Sequence, residues 1–293
     1  MTGRMLRYVL RPWSKGRLRL RSALWLGLVV ALLSGCTVNP ITGNEELMFY
    51  SPDKDVELGR KYAPLVEKEL SGRMPEDGLQ SYINRIGQRL AGFCQRPDLA
   101  YHFAAVEEGG ANALALPGGY IYITRDLLKE LKTEAQLASV LSHEIAHVVA
   151  RDTLVAMSEQ WGMAALVIAA QAGGARGSQV VAAMLSLQFS RDDEEEADLA
   201  GLSYMTQAGY DPNAMVETMQ ILEELQTIRP VEFFSTHPNP ESRIAYIQER
   251  IARRYASLEG LKEGQEEYEE RVTAPLNERK KRFNLPPQET AAN

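Results

Sequence analysis

His143, Glu144 and His147 form an H-E-x-x-H motif, and this triplet carries the chemistry most directly readable from the chain. Two histidines four residues apart project from one face of a helix, one turn from each other. A catalytic zinc site needs three protein ligands and keeps a fourth position for water. His143 and His147 supply two ligands. Glu144 lies beside His143 and can reach that water without being a ligand. A carboxylate so placed takes the proton as the water attacks a carbonyl. The chain has four histidines, so two of them at this spacing around a glutamate form a specific signal.

The third ligand separates classes of site. A metzincin needs Gly at 150 and His at 153, and Ala150 and Thr153 exclude it. A carboxylate from a later helix remains, and the run from Asp192 to Asp198 offers several. Such a run is ordinarily a solvated helix face. Glu194 stands apart because Asp198 follows one turn later on the same face, whereas Glu195 and Glu196 are followed there by Leu199 and Ala200. Asp198 can accept a hydrogen bond from the far nitrogen of a ligand imidazole, which fixes its tautomer and orientation.

These residues need helices and a sheet to hold them. Thr133 N-caps the motif helix with Gln136 as capping-box partner, Leu137, Leu141, Ile145 and Val148 give its buried face, and it ends near Ala150. Ser51-Pro52 starts a helix to about Leu70. A second begins at Pro75, its core stripe running from Leu79 to Phe93. Tyr101, Phe103 and Tyr120–Thr124 read as strands of a small sheet of three or four, with Pro117-Gly118-Gly119 as a turn. Trp161–Ala172 and Val180–Phe189 are apolar runs too short for a span of about 20 residues. They are predicted as buried or surface-covering helices rather than a transmembrane hairpin. Helices follow over Ser190–Gln207, 212–228 and 240–257. The fold class is therefore α+β, mainly helical. His102 sits in a strand without a motif and reads as structural, and Cys94 reads as a buried inert thiol.

The first 35 residues differ from the rest. Seven basic residues and no acid precede an apolar run, Ala23–Leu33, which closes on Leu33-Ser34-Gly35-Cys36. This resembles the bacterial lipoprotein lipobox, which implies cleavage before Cys36 and a lipid on that cysteine. Thr37 in place of Asp implies sorting to the outer membrane, facing the periplasm. Whole, the chain carries a net charge of −7, and loss of the basic leader leaves a more acidic body. That argues against nucleic acid as a partner and against broad adhesion to an anionic membrane, so the lipid supplies the anchor. The expected organisation is a signal peptide at 1–35, a tether at 36–50, a metallopeptidase domain at 51–257 and a charged tail at 258–293. The tail has no sustained apolar stripe and is expected to be a loose helix or disordered.

His143-Glu144-x-x-His147 followed by Ser190-Arg191-x-x-Glu194-x-x-Ala197-Asp198 resembles the M48 family of zinc metallopeptidases. Asn112-Ala113 with Pro117-Gly118-Gly119-Tyr120-Ile121 resembles that family's strand beside the active site. Thr236-His237-Pro238 with Arg243-Ile244 resembles its C-terminal signature. The similarity covers roughly residues 40–255. It implies a gluzincin-type domain with one Zn²⁺ per chain, Glu194 as third ligand and Asp198 as a supporting residue or proton donor. It also implies a substrate strand with Asn112, Ala113 and Gly119. His237 has two readings, a surface imidazole in a turn, or a group that reaches the open metal position or the oxyanion. In periplasmic relatives the resemblance implies a histidine that caps the zinc and keeps the enzyme latent. With the lipobox and no repeat domain after the catalytic part, the nearest likeness within the family is to small outer-membrane lipoprotein peptidases. The expected function is endoproteolysis of unfolded or misassembled envelope proteins with Glu144 as general base. The alternative is a chaperone-like outer-membrane assembly factor with a latent zinc site, and hydrolysis of a non-peptide amide is a weaker third option.

Overall fold

The computed structural model describes residues 36–48, 50–159, 175–238 and 243–284. The leader at 1–35 and the apolar run Trp161–Ala172 therefore lie outside the described residues.

The motif helix, α4 (Glu134–Ala150), is the hub. Every one of its residues is buried, not just the one face the apolar stripe predicts. Thr133 Oγ1 accepts from Gln136 N at 3.1 Å, as an N-cap should. Gln136 Oε1 reaches one residue beyond the expected capping-box position and accepts from Lys132 N at 2.7 Å. Around α4 pack α2 (Asp77–Ala91), α6 (Arg191–Gln207) and α7 (Asn213–Ile228), whereas α1 (Pro52–Glu69) packs on the turn Pro117–Gly119 and on α5 (Ala175–Leu185); α3 (Arg125–Glu130), α8 (Phe233–Thr236) and α9 (Arg243–Arg254) complete the main helices. Among these, α6 makes the most extensive contact with α4. Gly201 makes that contact possible, because a Cβ there would lie 2.9 Å from the backbone nitrogen of His143.

Three strands form a mixed sheet in the order β3-β5-β4: β3 (His102–Val106) runs parallel to β5 (Tyr120–Thr124), and β4 (Ala113–Leu116) runs antiparallel to it. Strand β4 is thus an edge. Among the described residues no helix is long and apolar enough to cross a membrane. The first part of the second apolar run, Val180–Phe189, lies in α5 (Ala175–Leu185), where Val181 and Met184 are buried.

Two end segments are more ordered than sequence reasoning expects. The stretch read as an extended tether contains an antiparallel pair, β1 (Cys36–Val38) and β2 (Glu45–Leu47). Asn39 pins it: its Nδ2 donates to Glu46 at 2.7 Å and to Glu196 of α6 at 2.8 Å. The segment read as a loose tail also docks. Tyr268, Val272 and Leu276 are buried, and their four-residue spacing puts them on one helical face. Three apolar residues among many charges make too thin a stripe to stand out in sequence. The backbone of residues 263–264 also caps α4, with Ala135 N donating to Glu263 O at 2.9 Å.

Candidate metal centre

Four buried side chains converge on one point. His143 Nε2 lies 3.1 Å from His147 Nε2 and 3.3 Å from His237 Nδ1. Glu194 Oε1 lies 2.8 Å from His237 Nδ1 and 3.5 Å from His147 Nε2, and Glu194 Oε2 lies 3.6 Å from His143 Nε2. Bonds of about 2.05 Å in a tetrahedron put its corners about 3.3 Å apart, so this donor set has the span of a zinc-sized site. One ligand atom from each of the four residues falls within 4.8 Å of the others.

The outer nitrogens decide what this convergence means. His147 Nδ1 pairs with Asp152 Oδ2 at 2.6 Å, and His143 Nδ1 faces Asp198 Oδ1 at 2.9 Å. A carboxylate on Nδ1 holds the proton there and turns the Nε2 lone pair outward. Two such lone pairs 3.1 Å apart repel unless a cation lies between them. The residues present therefore fit a metal ion, and a set of imidazole and carboxylate donors without thiolate suits several first-row divalent metals, zinc being one of them.

Each donor is placed by a local feature. The four-residue spacing on α4 stacks the two imidazoles. Ser190 N-caps α6 in a reciprocal capping box with Asp193, which starts the helix four residues before Glu194. Glu194 and Asp198 then share the face turned to α4. His237 follows α8, whose Phe233 ring stacks on the His237 ring at 4.3 Å. All five groups of the centre, Glu144 included, are at most 2% exposed.

Glu144 differs from its neighbours. Neither of its carboxylate oxygens accepts a hydrogen bond among the described residues. His237 Nε2 is the nearby partner, at 3.6 Å from Oε1, too long for a hydrogen bond. Burial pushes the Glu144 carboxyl pKa up, against the pull of His143 and His147. Asp198 goes the other way: burial raises it, but Arg243 and His143 outweigh that and hold it at about 2.

The structure brings together His143, His147, Glu194, Asp198, Glu144 and His237. Asn112 lines a cleft beside them and immediately precedes edge strand β4, which starts at Ala113; neither Ala113 nor Gly119 is among the residues that line the cleft. Gly119 instead packs against Ala100, where a Cβ would come within 2.7 Å of the carbonyl oxygen. Sequence reasoning missed Asp152. Arg151, in the left-handed region at φ 69°, ends α4 and turns the chain so that Asp152 folds back onto His147. An acid five residues past the second histidine was the available signal. Arg243 was noticed only as part of a signature. Its guanidinium is fully buried and bridges Asp198, at 2.8 and 2.9 Å, to Glu194 Oε2 at 2.8 Å. Tyr246 adds a hydroxyl to Asp198 Oδ2, and Phe189 stacks on His147 at 4.2 Å.

A helix-borne pair of imidazoles and a glutamate from a second helix make up the donor set of a gluzincin-like metallopeptidase centre, with a bare glutamate standing beside them. The profile of peptidase family M48 matches residues 78–251, more than half of the chain, and the chain belongs to that family. It is similar to the beta-barrel assembly-enhancing protease of Escherichia coli (strain K12), 29% identical over 249 residues that cover 78% of this chain and 50% of the relative. The protein of that name from Yersinia pestis is 31% identical over 242 residues, 75% of this chain and 48% of the relative. The mitochondrial metalloendopeptidase OMA1 of Schizosaccharomyces pombe is 33% identical over 174 residues, 57% and 52% of the two chains. The chain spans about half the length of these curated relatives.

Proposed function

We propose that this chain is a zinc-dependent endopeptidase of the bacterial envelope that cleaves unfolded or misassembled proteins. The observation that carries the reading is the bare, fully buried carboxylate of Glu144 beside converging imidazole lone pairs. Left without donors, a buried carboxylate is costly to keep, and such groups collect at catalytic sites. The ion, when bound, supplies a Lewis acid that polarises a scissile carbonyl and acidifies a water. Glu144 accepts the proton of the attacking water and returns it to the leaving amide nitrogen. His143, His147 and Glu194 hold the ion, and Asp152 and Asp198 keep the imidazoles in the ligating tautomer. Arg243 fixes Glu194 and Asp198 relative to each other. The edge strand from Asn112 and Ala113 takes an extended segment by strand addition. Support for the location comes from the leader at 1–35, from Cys36 as the lipid-bearing residue of an outer-membrane protein facing the periplasm, and from relatives named for beta-barrel assembly.

In this reading His237 occupies the fourth position and keeps the resting centre closed, and it must swing aside for a substrate to enter. Metal analysis with a casein assay tests the proposal. One zinc per chain is expected in wild type and in Glu144→Gln, with cleavage by the wild type alone. Casein cleavage by the Gln variant at the wild-type rate would sink the assignment of the base. His237→Ala is expected to raise activity or leave it unchanged; a loss would make His237 an oxyanion contact instead.

The closed centre also favours a second reading, an assembly factor whose zinc site stays latent. Equal loss of envelope function in Glu144→Gln and His147→Ala would rule out the assembly-only role.

A further inference from the structure

Edge strand β4 forms one side of a cleft of about 300 Å³ that reaches His237. This volume is at the low end for ligand sites and suits part of an extended chain. The hydrogen-bond pattern of β4 tells which of its groups are free. Thr124 N donates to Asn112 O at 2.9 Å, so Asn112 is bonded towards β5. Alternation along an antiparallel pair then turns the N–H and C=O of Ala113 and Ala115 outward. Thr153 Oγ1 takes the outward carbonyl of Ala115 at 3.1 Å.

The cleft has two kinds of lining. Leu114, Leu116, Met184, Leu187 and Phe189 make an apolar wall. Glu69, Glu108 and Glu232 also line it, and no Lys or Arg does among the described residues. Glu69 and Glu232 are exposed and Glu108 is half-buried. Nearby carboxylates are compensated: Glu67 pairs with Arg73 at 2.7 Å, Glu107 with Arg125 at 3.3 Å, and Glu130 with Arg229 at 2.9 Å. The three cleft glutamates make no ion pair among the described residues, and Ser71 Oγ, 3.3 Å from Glu108, is a neutral donor. Like charges around a groove with apolar walls focus a negative potential into it.

We infer that this cleft selects extended polypeptide segments in which an apolar residue is flanked by lysine or arginine. In an extended chain successive side chains point to opposite sides. A residue seated against the apolar wall therefore sends its two neighbours towards the rim, where the glutamates stand. The inference rests on the endopeptidase reading for its purpose but not for its test.

The test uses two labelled peptides of identical length, with a central Leu flanked by Lys in one and by Glu in the other. Cleavage is measured with the zinc-loaded wild type, and binding by fluorescence anisotropy with Glu144→Gln. The Lys peptide is expected to be preferred roughly tenfold in both assays at low salt, the weight of two flanking charges worth up to about 1 kcal/mol, or about fivefold, each, and the preference should fade near about 1 M salt. In the triple variant Glu69→Lys, Glu108→Lys, Glu232→Lys the preference should reverse, with unchanged melting temperature. Equal handling of the two peptides, or a preference the triple variant keeps, overturns the inference. If casein is cleaved but the peptides are not distinguished, the subsite fails and the peptidase reading stands. If nothing is cleaved but the Lys peptide binds Glu144→Gln more tightly, the reverse holds. Binding of neither peptide overturns the cleft assignment.

Discussion

Glu134 and Glu144 sit near the two ends of one helix, and both are 0% exposed. Their surroundings are opposite. Glu134 is saturated: Tyr82 donates to Oε2 at 2.8 Å, and Tyr210 and Lys262 donate to Oε1 at 2.7 and 2.6 Å. Glu144 receives no hydrogen bond among the described residues. A buried charge that serves stability must be partnered, because desolvation otherwise outweighs what it contributes. A buried charge left bare fits another use, in the proposed function the uptake of a proton. The same residue type on the same helix is thus saturated with partners at one position and bare at the other, and it is to the bare one that the proposed function gives chemical duty.

The contrast breaks first at Glu144. Glu144→Gln is expected to lower kcat by about 10²–10⁴-fold, the usual weight of a general base. Its melting temperature should hold or rise, since an unpartnered carboxylate has been neutralised. A stability loss as large as that of a Glu134 variant would erase the distinction. Glu134→Ala is the converse. It leaves two tyrosine hydroxyls without their acceptor and should cost about 3 kcal/mol, with little added by Lys262, which is 36% exposed and keeps Glu267 at 2.8 Å. Urea unfolding measures it, and kcat per folded molecule should stay near wild type.

Asp152 sharpens the comparison within the metal end. Burial pushes its carboxyl up to about 7 against the pull of His147, which marks it as a buried acid tied to one imidazole. Asp152→Asn keeps the shape but weakens the hold on Nδ1–H. Zinc affinity should fall about 10–100-fold, read by competition with a chelator. Unchanged affinity would make Asp152 a packing residue and leave Asp198 as the sole orienting carboxylate.

What was legible in sequence was what is local. The H-E-x-x-H pair, the Glu194–Asp198 spacing and the caps at Ser51 and Thr133 all lie within one or two helical turns, where periodicity fixes who faces whom. Long-range partners were hidden. Nothing local to Arg243 says that its guanidinium bridges two carboxylates of α6, and nothing local to Asn39 says that its amide reaches Glu196. Gly119 has a structural reason for being glycine that is also long-range. Its turn was legible, but the close approach of Ala100, which leaves no room for a Cβ, was not.

The C-terminal segment gives the smallest and most discriminating effect. Tyr268 is fully buried, and its hydroxyl donates to the carbonyl of Leu128 at 2.6 Å, across the chain from where a loose tail would lie. Tyr268→Phe keeps the ring packing and removes only the hydroxyl. One net hydrogen bond is worth about 1 kcal/mol, and an unpaired buried carbonyl adds to the loss. For a domain of this size the melting temperature should drop by about 2–4 °C. The same Lys262 that saturates Glu134 precedes this segment, so undocking it would strip Glu134 of one donor as well. Tyr268→Phe and Glu134→Ala should then be non-additive in a double-mutant cycle, because both loosen the N-terminal end of the motif helix. Strict additivity, or no change on Tyr268→Phe, would detach the segment from the helix and leave Glu134 to be held by its two tyrosines.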